Sequence, residues 1–219
     1  MQTVRVFFTK KEDARFLSHL DLMRCFTRAL KRSGMDVWYT QGFNSHIYLM
    51  FASPLSLGFE SEYETMDFRL LNDDEVDYRY VVDRINQALP AGIRAYEASI
   101  PVHDHNEIAF SDWSIIISGN SELLSESIRK FLNQEEIVIT RTTKKGLQKQ
   151  ENAVEYIKAI SYRKNDDSLE ISAVLRSDSS SSLNPGLLVN TFLDYAEIKD
   201  ADVRICRKRL LLNNMNPFK

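Results

Sequence analysis

The sequence predicts an α+β fold made of two tandem halves, each read as β-α-β-β-β-α-β and each ferredoxin-like with one added strand. Three observations predict it. Apolar residues recur with a helical period in some stretches and with strand-like alternation in others. The order of elements up to residue 100 returns after residue 111, as an internal repeat would. Between the two runs PVHDHNEIAF, polar and charged, which reads as a linker over residues 101–110. The expected organisation is therefore an N-terminal domain over 1–100, the linker, and a C-terminal domain over 111–219.

In the first half, residues 4–8 (VRVFF) form the opening strand. Ser18-His19-Leu20-Asp21 then reads as a capping box, with Ser18 accepting from the N–H of residue 21 and Asp21 reaching back. The helix runs to Ser33, and Gly34 supplies the C′ stop. Residues 37–39 and 47–51 are short strands on either side of the loop TQGFNSH. Residues 66–70 alternate as a half-buried strand, and Asn72-Asp73-Asp74-Glu75 is an acidic helix start that suits the positive end of the dipole. A helix over 76–89 stops at Pro90-Ala91-Gly92, and residues 93–100 make the last strand.

In the second half the expected strands are 113–118, 137–142, 154–162, 169–176 and 203–212, with helices over 121–133 and 187–196. Pro185 suits the first turn of the second of these helices.

The chain has 219 residues, 43% of them hydrophobic, which suffices for one large or two small domains. Its two cysteines, Cys25 and Cys206, make neither a disulfide framework nor an iron–sulfur cluster, which needs about four thiolates. No apolar leader-like stretch and no run of about 18 apolar residues occurs, so a cytoplasmic protein with free thiols is expected. The net charge is −3 but unevenly spread: residues 1–50 carry 8 Lys/Arg against 4 Asp/Glu, 51–112 carry 4 against 13, and 113–219 carry 16 against 14. A basic beginning precedes an acidic middle.

Projection at about 100° per residue puts Leu22, Cys25, Phe26, Ala29 and Leu30 on one face of the first helix, and Arg24, Arg28, Lys31 and Arg32 on the opposite one. With Trp38, Tyr39 and Phe43 close by in sequence, this region reads as a surface for RNA, cations meeting phosphates and rings stacking on bases. Gln41, Asn44 and His46 would add specific polar contacts. Arg141, Lys144, Lys145 and Lys149 form a second basic group, and Arg204, Arg207, Lys208 and Arg209 a third. The bland reading of all three is solvated surface.

His19 and His46 are the two catalytic candidates. At a first helical turn the dipole disfavours a protonated imidazole, so His19 reads as a base, a ligand, a partner for the QGFN loop, or a histidine packed beside Leu22 and Phe26. A metal reading joins His19 and His46 to Asp21, Glu60, Glu62 or Glu64. It lacks tight ligand spacing, and Asp21 is committed to the cap, so no metal and no cofactor is expected. Glu60, Glu62 and Glu64 alternate as a solvated acidic strand face, His103-Asp104-His105 reads as polar linker, and Cys25 as buried and inert. Neither a G-x-S-x-G elbow nor a Gly-rich phosphate loop is present.

FLSHLDLMR with its basic helix, Y-x-QGFN-x-H, an aliphatic strand, and S-P-L-x-L-G with E-S-E-x-E-x-x-D together resemble the radical SAM-linked protein family. This is a bacterial domain of unknown function, standalone or fused behind radical SAM and B12-binding-type modules, often near genes for a ribonuclease and ribosomal proteins. The motifs cover residues 15–67 and the layout extends over the whole chain. Ser45 replaces the family's usual proline in GFNPH, and Asn152 and Glu155 depart from its later D-x-R-P-Y pattern. The resemblance implies a separate radical SAM protein as partner and RNA or a ribosomal substrate as cargo, for an accessory, non-catalytic module. One alternative is an endoribonuclease using His19 or His46 as general acid/base. It would be similar to the tandem ferredoxin-like nucleases of CRISPR transcripts, but their glycine-rich C-terminal loop is missing here. A second is a pure protein-interaction domain docking through the acidic middle.

Overall fold

The computed structural model describes residues 1–71, 76–142 and 146–219; its backbone divides into two units, Met1–Glu107 with Pro217–Lys219, and Ile108–Asn216. Unit 1 runs β1 (Gln2–Lys10), a 3-10 turn (Glu12–Phe16), α1 (His19–Ser33), β2 (Leu49–Phe51), β3 (Glu60–Leu70), α2 (Tyr78–Asn86) and β4 (Ile93–Ser99). Its strands lie in the order β4-β1-β3-β2, every neighbour antiparallel. Pleat alternation turns Val4, Val6 and Phe8 of β1 and Met66 and Phe68 of β3 to one side, where they form the core with Phe26, Leu30, Val81 and Ile85 of the helices. Register fixes these contacts, Val4 facing Phe68 and Val6 facing Met66.

The start of α1 follows from local chemistry. Ser18 accepts from the Asp21 N–H at 3.2 Å. The Asp21 carboxylate turns to the Ser18 hydroxyl at 2.6 Å instead of the expected N-cap N–H. Leu17 before the cap and Leu22 within the first turns both join the core, as in a hydrophobic staple. Gly34 ends the helix at φ 74°, a left-handed position where a Cβ is disfavoured.

Three expectations for this unit change. Residues 37–39 are no strand of the sheet; they make two isolated bridges, Val37 to Leu70 and Tyr39 to Ile47. β3 begins at Glu60 instead of residue 66, because Lys11 and the Glu12 N–H take up Glu62 and Glu60. The acidic alternation is therefore not a solvated face, and Glu64 is buried. The acidic helix start at residues 72–75 lies outside the described residues.

Unit 2 runs β5 (Ile108–Ser118), α3 (Ser121–Leu132), β6 (Val138–Thr142), β7 (Gln148–Asn152), β8 (Ile157–Lys164), β9 (Ser168–Arg176), α4 (Pro185–Tyr195) and β10 (Asp202–Leu212). Its sheet order is β10-β5-β9-β8, again antiparallel throughout. With β6 and β7 set apart as their own hairpin, both units trace β-α-β-β-α-β, and in each the fourth, first, third and second strands lie side by side. The added strand expected in each half is thus an isolated bridge in unit 1 and part of a separate hairpin in unit 2. The expected strand over 154–162 is a 3-10 turn, Ala153–Tyr156, followed by β8. Residues 108–110 of the expected linker are strand, because Ile108 and Phe110 are buried. No described helix is long and apolar enough to cross a membrane.

Candidate nucleic-acid interface

On α1 the outward face is cationic as the spacing predicts, with Arg24, Arg28, Lys31 and Arg32 all exposed. Arg24 is engaged, donating to Asp21 at 3.0 Å. Hydrogen bonds from Ser18 and Arg24 hold the Asp21 carboxyl below the usual carboxylate range. Arg28, Lys31 and Arg32 have no ion-pair partner among the described residues. Cys25 sits at the margin of the core, half-buried, and burial pushes its thiol up, so little thiolate is available.

The QGFN loop is the tip of a narrow ribbon. Thr40 N–H donates to the His46 carbonyl at 2.8 Å, and His46 N–H donates to Thr40 Oγ1 at 3.1 Å. The ring's Nδ1 lies 2.9 Å from the Asn44 carbonyl. A carbonyl only accepts, so Nδ1 is the donor in this contact. Gly42, at φ 127°, makes the turn possible. Gln41, Asn44 and His46 are exposed, and Phe43 at the tip is exposed at 106%, touching nothing that shields it.

Behind the tip stands a group that sequence reasoning missed. The Arg69 guanidinium lies over the Tyr48 ring at 4.3 Å and the Trp38 ring at 5.2 Å, and the two rings meet edge-on at 6.1 Å. Met50, 43% exposed, continues this patch along β2. Alternation decides which side of the sheet it occupies. Val37, Ile47, Leu49, Phe51 and Phe68 turn inward and pack in the helix-side core. Their neighbours Trp38, Tyr48, Met50 and Arg69 therefore face away from α1. Thr40 and His46 extend the same face toward the tip. The predicted surface is thus divided: the α1 cations lie on one side of the sheet, and His46 lies on the other with the aromatic group. Tyr39 is exposed, but Trp38 is half-buried under Arg69.

His19 and His46 are not brought together. The His19 ring meets Phe51 edge-on at 5.3 Å, whereas His46 lies at the far end of the extended segment that leads to Phe51, each residue adding about 3.3 Å. His19 is exposed rather than packed beside Leu22 and Phe26. Among the described residues no three His, Cys, Asp or Glu side chains are grouped to hold a metal.

His103 and His105 are more than polar linker. His105 Nε2 donates to Asp67 at 3.0 Å, while Arg5 grips the same carboxylate through Nε at 2.8 Å and Nη2 at 2.7 Å. Arg5 also donates to the His103 carbonyl at 3.0 Å, and the Phe218 ring covers its guanidinium at 4.4 Å. Arg5 and Asp67 are 1% and 6% exposed. Asp67 was visible only as the last acid of the E-S-E-x-E-x-x-D run; at an outward position of a half-buried strand it carried no sign of being buried.

Of the other two basic groups, Arg141, Lys149 and Arg207 are engaged. Arg141 pairs with Glu151 at 2.9 Å and lies over Tyr156; Lys149 pairs with Glu151 at 2.8 Å; Lys144 and Lys145 lie outside the described residues. On β10, alternation buries Arg207 against the Trp113 ring at 5.5 Å and leaves Arg204 outside, and the register shift after Arg207 leaves Arg209 exposed as well.

The model of a family described as "Uncharacterized protein conserved in bacteria (DUF2344)" matches residues 3–185. No curated protein matches the chain. Among solved structures, an unknown protein from Galdieria sulphuraria is similar at 10% identity, over 94% of this chain and 98% of that one, with a TM-score of 0.28. A candidate glycine cleavage system transcriptional repressor is 11% identical over 94% and 98%, with a TM-score of 0.23.

Proposed function

We propose, from the premise that this chain belongs to the family of uncharacterized proteins conserved in bacteria (DUF2344), that it is an accessory module that binds RNA. The observation that carries this reading is the trio Arg28, Lys31 and Arg32, exposed on one helix face with no carboxylate partner among the described residues. Cations left free on a regular spacing suit a run of phosphates, whose counterions they release. Exposed Gln41, Phe43, Asn44 and His46 add hydrogen-bonding and stacking groups. The shared strand order of the two units supports reading them as tandem ferredoxin-like halves. The resemblance of residues 15–67 to the radical SAM-linked family supports a separate radical SAM enzyme as the partner to which the RNA or ribosomal substrate is presented. Free cysteines support a cytoplasmic setting.

A filter-binding titration against total cellular RNA at about 50 and 200 mM salt tests the reading. Binding should fall steeply with salt, and Arg28→Glu/Lys31→Glu should weaken it about tenfold or more at the lower salt and flatten the salt slope. Absence of binding at low salt would remove the RNA reading and point to a protein partner.

A further inference from the structure

We infer that the RNA this module takes is single-stranded, and that its bases are held on the helix-free face of the unit 1 sheet by Arg69, Tyr48, Trp38 and the Phe43 tip. The inference rests on the RNA reading above and specifies its substrate. Two observations carry it. The first is the chemistry of the patch. A guanidinium that lies over rings at 4.3 and 5.2 Å is a planar cation already in place, and bases stack on guanidinium planes as they do on aromatic rings. Met50 continues the patch along β2 on one side and Phe43 stands at the loop tip on the other, exposed at 43% and 106%. The Thr40–His46 and His46–Asn44 hydrogen bonds hold the Phe43 tip in place beforehand, so little ordering cost falls on binding.

The second is the division of the interface. The free cations of α1 and the stacking plane lie on opposite sides of one sheet, with the edge strand β2 and the 40–46 loop between them. A double helix is stiff over far longer distances, with a persistence length of about 50 nm for DNA, and its bases are already stacked inside. It can lie on the cations but cannot turn the edge and offer a base to Arg69. A single strand can do both, its backbone on α1 and its splayed bases on the sheet.

The test uses the full chain, a fluorescein-labelled mixed-sequence single-stranded RNA of twelve nucleotides, and the same strand annealed to its complement, read by anisotropy at two salt concentrations. The single strand should bind more tightly than the duplex. Phe43→Ser, at a position whose side chain packs against nothing, should weaken single-strand binding by about fivefold to a hundredfold, the range for loss of one stacked base. Stacking releases no counterions, so the loss should be the same factor at both salts, unlike the α1 double variant. Arg69→Gln should act in the same direction, its fold checked by circular dichroism. RNA binding that favours the duplex, or that ignores both Phe43→Ser and Arg69→Gln, overturns the inference and leaves the RNA reading standing. Failure of both probes to bind removes the RNA reading and the inference together.

Discussion

Asp67 is a carboxylate that the fold cannot leave alone. Burial pushes its pKa up, but the hydrogen bonds from Arg5 and His105 outweigh that and hold it below the ordinary carboxylate value. Removing one partner of a buried ion pair strands the other charge, at about 3–5 kcal/mol. Asp67→Ala should therefore lower stability by about that amount in urea unfolding, with Arg5 left uncompensated beneath Phe218. The pH dependence has a fixed sign. A group whose native pKa is depressed contributes fully above its unfolded pKa, about 3.9, and the contribution is lost as pH falls through the native value. Stability of the wild type should accordingly fall on acidification below about pH 4. Asp67→Asn, which has no proton to take up, should lack that part of the acid limb.

At the scale of elements, α1 and the QGFN ribbon contrast in how much of each was legible. The helix was readable from end to end because its determinants are local: a cap at Ser18, an apolar stripe, and a left-handed glycine. Ser18→Ala should cost about 1 kcal/mol, seen as a lower urea midpoint. Asp21 would lose a donor at the same time. The ribbon's chemistry was not readable, because Arg69 reaches Trp38 and Tyr48 only through strand register. The backbone bond from Trp38 N–H to the Arg69 carbonyl, 2.8 Å long, sets that register across a wide gap in sequence. β7 shows the limit from the other side. QKQEN carries no apolar alternation, and its strand character comes from β6 alone. The acidic start of β3 misled for a related reason: alternating glutamates suggest solvent, and only distant residues such as Lys11 make that strand a partly buried one.

For the whole molecule, the repeated element order was legible, since helices and strands recur with the same punctuation in both halves. Which residues complete each unit was not. Residues 217–219 belong to unit 1, and nothing in Pro217-Phe218-Lys219 announces it. Phe218 is 0% exposed, and its carbonyl accepts from the Tyr63 hydroxyl. Its ring also meets His105 at 5.9 Å. Phe218→Ala should destabilise by about 3–5 kcal/mol, in the range for a buried aromatic. Amide exchange along β1 and β3 near Arg5 and Asp67 should quicken, which is the measurement that locates the effect in unit 1.

That short return has a consequence for the order in which the protein is made. Domains tend to fold as they leave the ribosome, N-terminal ones first. Unit 1 has all of β1 to β4 once residue 107 has emerged, yet the ring that covers Arg5 arrives only after the whole of unit 2 has been translated. During that interval the Arg5–Asp67 pair lacks its aromatic cover, so the first unit begun is the last to be finished. A ribosome stalled before residue 217 would display a unit 1 whose strands are paired but whose charged pair is still open on one side.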